Sequence, residues 1–192
     1  MKIIFASQNK NKLHEIQSRL LDYEIIGLDE KLFPDELAET GDTLDENAFQ
    51  KAQQVWNKLG IPCFADDTGL EVEALGGKPG VYSARYAGEH KSSLDNMDLL
   101  LHNMRDVSNR RAAFRTCISL CVDNIFYFFE GICSGEIAQE KRGEQGFGYD
   151  PIFIPSGFDR TFAEMTIEEK SSISHRGLAI EKLVQFLVSH AH

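Results

Sequence analysis

Cys63-Phe64-Ala65-Asp66-Asp67-Thr68-Gly69 is the stretch on which the fold turns. Its first three residues read as a short buried strand, and the two adjacent carboxylates with Thr68-Gly69 read as the loop that ends it. A strand that delivers acidic side chains at its end is the arrangement of an open α/β sheet, where ligands gather beyond the strand termini. The flanking sequence alternates in the same way. Upstream, Lys2 to Ala6 reads as a buried strand, followed by polar Ser7-Gln8-Asn9 and a helix with Leu13, Ile16, Leu20 and Leu21 on one face. A short strand from Glu24 to Leu28 leads through an acidic loop with Pro34 to a helix capped by Thr43 or Asp42, which runs to Leu59 and ends at Gly60. Ala48, Ala52, Val55 and Leu59 form its inward stripe.

Downstream, Gly76-Gly77-Lys78-Pro79-Gly80 is a loop and Ser93 to Met104 a third helix. Arg111 to Val122 and Ile125 to Ile137 read as a hairpin turned at Asp123-Asn124. A glycine-rich loop covers Gly143 to Gly148. A short helix follows near Thr166 to Ser171, then a longer one from Ser174 to Val188 with Leu178, Leu183, Phe186 and Leu187 buried. His190 and His192 read as a mobile tail. With 192 residues, 42% of them hydrophobic, the pattern predicts one α/β domain over residues 1–192.

The longest apolar run, Ile118 to Phe129, is broken by Asp123 and Asn124, well short of the roughly 18 to 20 apolar residues of a membrane-spanning helix. Residues 1–6 carry neither a signal-peptide core nor a cleavage pattern, so the expectation is a cytoplasmic protein. Cys63, Cys117, Cys121 and Cys133 form no Cys-x-x-Cys pair and read as reduced, buried thiols. A net charge of −10, from 20 Lys+Arg against 30 Asp+Glu, argues against a polynucleotide partner. It leaves room for a small polyphosphate held by local lysines and a divalent cation.

Four clusters can carry chemistry. Ser7-Gln8-Asn9-Lys10-Asn11-Lys12 lies between a strand and a helix, where free N–H groups favour an anion. It also reads as a polar cap with a solvated first turn, yet lysine opposes the helix dipole there unless an anion is present. No Walker A loop can be written anywhere in the chain. Asp66-Asp67 is a natural magnesium holder: neighbouring carboxylates repel, one pKa should rise, and that group can take a proton from water. Its plain alternative is a turn. Phe147-Gly148-Tyr149-Asp150-Pro151 could stack a planar base and bond its edge, or serve as core aromatics beside a strand. Lys170, His175 and Arg176 could present donors to a carbonyl or phosphate, or decorate a helix end. Of the acidic residues Glu39, Asp42, Asp45 and Glu46, most read as solvated or capping groups.

Taken in order, Ser7 to Lys12, Glu46-Asn47-Ala48 with Lys51-Ala52, Ala65 to Leu70, Gly76 to Tyr86, Gly146 to Pro151 and Glu169 to Gly177 closely resemble the inosine-triphosphate pyrophosphatase family, over nearly the whole chain. The resemblance implies an elongated α/β fold of two lobes with a long mixed central sheet flanked by helices, the active site in the cleft between the lobes, and a homodimer. It implies Mg²⁺-dependent hydrolysis of noncanonical purine nucleoside triphosphates (ITP, dITP, XTP) to the monophosphate and pyrophosphate. Carried over by position, Asp67 is general base and metal ligand with Asp66 in support, and Lys51 and Lys12 contact phosphates. Ser7, Gln8, Asn9, Lys10, Asn11, Lys12 and Thr68 line the triphosphate end. Phe147, Gly148, Tyr149, Asp150, Lys170, His175 and Arg176 form the base pocket.

Three positions depart from the family pattern. Gln8 and Asn11 stand where glycine is frequent, and Ala38 stands where an acidic metal ligand is frequent, which makes Glu39 the substitute ligand. The alternatives are a nucleotide pyrophosphatase or phosphatase for another base, and a nucleotide sensor without turnover.

Overall fold

The computed structural model describes residues 2–190. Five helices and seven strands follow one another as β1 Lys2–Phe5, α1 Lys10–Gln17, β2 Glu24–Ile26, α2 Leu44–Leu59, β3 Cys63–Val72, β4 Pro79–Gly80, α3 Ser93–Asn103, β5 Arg111–Val122, β6 Ile125–Ile137, β7 Phe153–Pro155, α4 Ile167–Ile173 and α5 His175–Ser189. The strands form one sheet in the order β2-β1-β3-β5-β6-β7, with β4 paired to β3. β1 runs parallel to both β2 and β3, whereas β3–β4 and β6–β7 are antiparallel, so the sheet is mixed as expected. The chain resolves into two compact units: Met1–Asp67, Thr116–Gly131 and Arg176–His192 form the first, Thr68–Arg115 and Ile132–His175 the second. Strands β3, β5 and β6 contribute residues to both.

In the first unit, helices cover both sheet faces, and strand alternation sorts the side chains. Ile3, Phe5, Phe64, Ile118 and Leu120 point to the face covered by α1 and α5, through Ile16, Ala179, Ile180 and Leu183. Ile4, Ala6, Cys63, Ala65 and Cys121 point to the face covered by α2, through Ala52 and Val55. The second unit has its own core of Leu70, Val72, Leu100, Phe114, Ile152, Phe153 and Phe162.

Helix α2 starts where its sequence says it should. Thr43 accepts from the Glu46 N–H and Glu46 returns the favour to the Thr43 N–H, closing a capping box. Thr43→Ala is expected to lower stability by about 1 kcal/mol, read from the urea midpoint at constant slope. The hairpin also keeps its predicted bounds. Asp123 and Asn124 both take left-handed backbone (φ 51° and 63°), the conformation that lets a two-residue turn follow the twist of its strands.

Four expectations are corrected. Asp66-Asp67-Thr68-Gly69 is no turn; β3 runs through it to Val72. Leu21 lies beyond α1 and is 83% exposed, because the helix ends at Gln17. On α5, Ala179 and Ile180 join Leu183 and Leu187 in the core, and Leu178 does not. His190 is anchored, its ring stacked 4.0 Å from that of Phe186; His192 lies outside the described residues. The four cysteines are free and buried as expected, and burial pushes the Cys63 thiol up to about 12 and that of Cys133 up to about 11. No helix among the described residues is long and apolar enough to cross a membrane.

Candidate active site

Because β3 continues through the acidic pair, Asp66 and Asp67 point to opposite faces of the sheet. Each meets the charges of a different helix. Asp66 shares the side of Phe64, facing α1 and α5. Its Oδ1 accepts from Lys12 Nζ at 3.0 Å and its Oδ2 from Arg176 Nε at 3.1 Å. Arg176 Nη1 donates in turn to Glu15 at 2.5 Å. Lys12 and Glu15 are three apart on α1 and so share one helix face, at the two ends of an alternating row of charge, Lys12–Asp66–Arg176–Glu15. Burial alone would raise the Asp66 pKa, but Lys12, Arg176 and Lys51 outweigh it and hold the carboxylate well below its usual range. Burial also lowers Lys12, which Asp66 offsets only in part. For Arg176, burial is outweighed by Asp66 and Glu15, and its pKa rises.

Asp67 shares the side of Cys63 and Ala65, facing α2. Lys51 Nζ lies 3.5 Å from Asp67 Oδ1, donates to the Asp66 carbonyl at 2.7 Å and makes a very short contact with Glu39 Oε1. Asn47 Nδ2 donates to Asp67 Oδ2 at 3.2 Å. Here the balance differs: burial raises the Asp67 pKa, Glu39 and Asp66 push the same way, and Lys51 and Lys12 do not cancel them. Lys51 is raised despite its burial, by Asp67, Glu39 and Asp66.

Three cations, Lys12, Lys51 and Arg176, thus face four carboxylates, Glu15, Glu39, Asp66 and Asp67. The cluster carries an excess of negative charge on the α2 side, where the Lys51 ammonium sits between Glu39 and Asp67. Glu39 and Asp67 are hard oxygen donors of the kind that hold Mg²⁺, one or two carboxylates being completed by water and substrate phosphate, and here they share the Lys51 ammonium. Among the described residues no group of three or more His, Cys, Asp or Glu side chains is gathered as a closed metal cage.

In the first loop, Asn9 caps α1, its Oδ1 accepting from the Asn11 and Lys12 N–H groups. Ser7 Oγ accepts from the Asn9 N–H. The Gln8 side chain is engaged within the unit: its Nε2 donates to the carbonyls of Phe33 at 2.8 Å and Asp35 at 3.4 Å. Lys10 and Asn11 are exposed on the first turn of α1.

In the second unit, Thr68 is half-buried on β3. Lys170 Nζ donates to Asp150 Oδ2 at 2.7 Å and lies 4.8 Å from the centre of the Phe147 ring. The same Asp150 oxygen accepts from the Phe147 N–H at 2.8 Å. Gly146 has φ 75°, and a Cβ there would collide with the Asp150 carboxylate, so this loop needs glycine beside Asp150. Gly148 is half-buried beyond it.

Tyr149 belongs to the core, with its hydroxyl donating to the Ser83 carbonyl at 2.8 Å. The buried His175 ring is stacked on Phe114 at 4.4 Å, because a planar ring at the foot of α5 fills the aromatic core. Arg176, in the first unit, pairs with Asp66 and Glu15. The reading missed Glu15 and Asn47. Glu15 has a usable signal, being one helical turn after Lys12; Asn47 has none beyond its place in the Glu46-Asn47-Ala48 motif.

A family model described as the Ham1 family matches residues 3–186. A protein of Flavobacterium johnsoniae named dITP/XTP pyrophosphatase is 50% identical over 190 residues, covering 98% of this chain and 99% of its own. One of the same name from Christiangramia forsetii is 50% identical over 188 residues, covering 97% and 99%. The Staphylococcus aureus Ham1 protein structure superposes with a TM-score of 0.89 at 44% identity, covering 98% of this chain and 99% of that one. Sequence and fold agree along the whole length: the chain belongs to the Ham1 family.

Proposed function

We propose that this nucleoside-triphosphate pyrophosphatase hydrolyses ITP, dITP and XTP to the monophosphate and pyrophosphate, with Mg²⁺ held by Asp67 and Glu39. The observation that carries the reading is the placement of Asp67: a buried carboxylate of raised pKa beside Lys51 and opposite Glu39. A carboxylate so placed accepts a proton from an attacking water, and Lys12 and Lys51 donate to the phosphate oxygens on which charge develops. When bound, Mg²⁺ supplies Lewis-acid polarisation of those oxygens. The names of the relatives support the substrate class.

Base selection follows from Lys170, which Asp150 fixes beside the Phe147 ring. An ammonium has donors only, so it suits a 6-oxo group and opposes the 6-amino group of adenine. Lys170→Met is expected to lower kcat/KM for ITP by about 10- to 100-fold with a smaller effect on ATP, measured by competing the two nucleotides. Equal losses on both would remove Lys170 from base reading.

Purified protein with Mg²⁺ should release pyrophosphate preferentially from ITP and XTP in a panel with GTP, ATP and dUTP, pyrophosphate and phosphate being quantified separately. Phosphate release from ATP, preference for dUTP, or no turnover would favour the phosphatase, other-base and sensor alternatives respectively. The homodimer implied by the family resemblance and the cytoplasmic setting expected from the sequence belong to the same proposal; a single species at the mass of one chain in light scattering would remove the former.

A further inference from the structure

We infer that Gln50 and Gln54 are positioning residues whose side-chain amides grip the backbone on either side of Glu39 and so set how firmly the chain holds its divalent cation. The inference rests on the reading of Glu39 as a cation ligand.

Residues 38–43 run along α2 against the helix direction, and successive turns of the helix take up their backbone groups. Gln54 pairs with Ala38 from both ends of its amide: Oε1 accepts from the Ala38 N–H at 3.0 Å and Nε2 donates to the Ala38 carbonyl at 3.1 Å. That Nε2 also donates to the Gln50 carbonyl at 2.9 Å, which fixes its rotamer. Gln50 Oε1 accepts from the Thr40 N–H at 2.9 Å and from the Thr40 hydroxyl at 3.3 Å. Asn47 Oδ1 accepts from the Gly41 N–H at 2.8 Å, and Glu46 from the Asp42 N–H at 2.8 Å. A Cβ at Gly41 would press on that of Glu46, so the segment lies directly against the helix.

Residues 47, 50, 51 and 54 fall on one helix face. The face that grips Ala38 and Thr40 is therefore the face that presents Lys51 to Glu39, and Asn47 joins both tasks by donating to Asp67. The grip is made by neutral groups. It orders Glu39 without adding charge beside it, and it does not titrate. A ligand on an irregular segment held only by the ion would have to be ordered at every binding event, which weakens the ion's hold.

The test compares Gln50→Leu, Gln54→Leu and the double variant with the intact protein. Leucine keeps the helix propensity, and both glutamines are only half-buried, so the variants should fold. Expected are faster amide hydrogen exchange at residues 38–41 in the metal-free protein and a Mg²⁺ concentration for half-maximal hydrolysis raised about tenfold, with kcat at saturating Mg²⁺ within about twofold. In a Glu39→Gln background the glutamine changes should add no further shift. Gln50→Glu, which keeps the acceptor for the Thr40 N–H, should return exchange to the wild-type rate. An unchanged Mg²⁺ requirement in the leucine variants, with a raised one in Glu39→Gln, would overturn the grip and leave Glu39 as a ligand. An unchanged requirement in Glu39→Gln would overturn the ligand assignment and this inference with it.

Discussion

Asp67→Asn should cost on the order of 10² to 10⁴ in kcat while leaving the protein folded. Asparagine keeps the size of the side chain and an oxygen for the Lys51 ammonium, but it cannot take a proton from water and is a poor partner for a hard cation. The expected effect on stability has the opposite sign from the effect on turnover. A carboxyl whose folded pKa lies above its unfolded value contributes stability that is fully present below the unfolded pKa and is lost as pH rises through the folded one. Asp67 is such a group, raised first by burial and then by Glu39 and Asp66, so at neutral pH its ionised form costs the metal-free fold something that the neutral amide does not. Metal-free Asp67→Asn should therefore melt no lower than the wild type at pH 7, and the gap should close as pH falls towards the ordinary carboxyl range. Near-normal turnover would reject Asp67 as the base; a large drop in melting temperature would show that the fold depends on its charge.

Lys51→Met should fail in both respects. The Lys51 ammonium is the shared partner of Glu39, Asp67 and the Asp66 carbonyl, and the residue is 7% exposed. Removing one partner of a buried ionic cluster leaves the other charges uncompensated, at a cost of about 3 to 5 kcal/mol. Here Glu39 and Asp67 would face each other across the space the ammonium had filled. The deficit should be largest at neutral pH, where unpaired carboxylates are ionised, and shrink on acidification. Added Mg²⁺ should raise the melting temperature of this variant more than that of the wild type, while kcat/KM for ITP stays lower by at least about 10² through loss of a phosphate contact. Unchanged kcat/KM would remove Lys51 from the site. A melting temperature indifferent to Mg²⁺ in both proteins would count against a cation between Glu39 and Asp67.

The elements that sequence alone predicted best are those fixed by local chemistry. Thr43 and Glu46 stand at capping-box spacing, and Asp123-Asn124 are residues that tolerate left-handed backbone, so α2 and the β5–β6 hairpin were legible from a handful of neighbours. The acidic pair misled because its composition is that of a turn. The segment is a strand because β3 pairs within the sheet, and the partners of Asp66 come from far along the chain: Lys12, 54 residues before it, and Arg176, 110 residues after it. No local window contains those partners. The same holds for Gln8, whose amide partners lie in the 33–35 segment, and for Tyr149, whose hydroxyl partner Ser83 is 66 residues away. The ion pair between Glu15 and Arg176 joins α1 to α5 and could be anticipated only as helical spacing from Lys12.

The discontinuity of the first unit bears on how the protein is made. Its sheet begins with β1 and takes in Asp66 early, yet Arg176 and the α5 residues Ala179, Ile180 and Leu183 that complete its charge row and core come from the far end of the described chain. At about 5 to 20 residues per second, roughly 5 to 20 s separate the synthesis of Asp66 from that of its guanidinium partner. Through that interval the nascent first unit exposes an apolar sheet face and cannot bury Asp66 fully paired. A chain that ends before residue 176 therefore lacks both the guanidinium partner of Asp66 and the α5 side of the first unit's core.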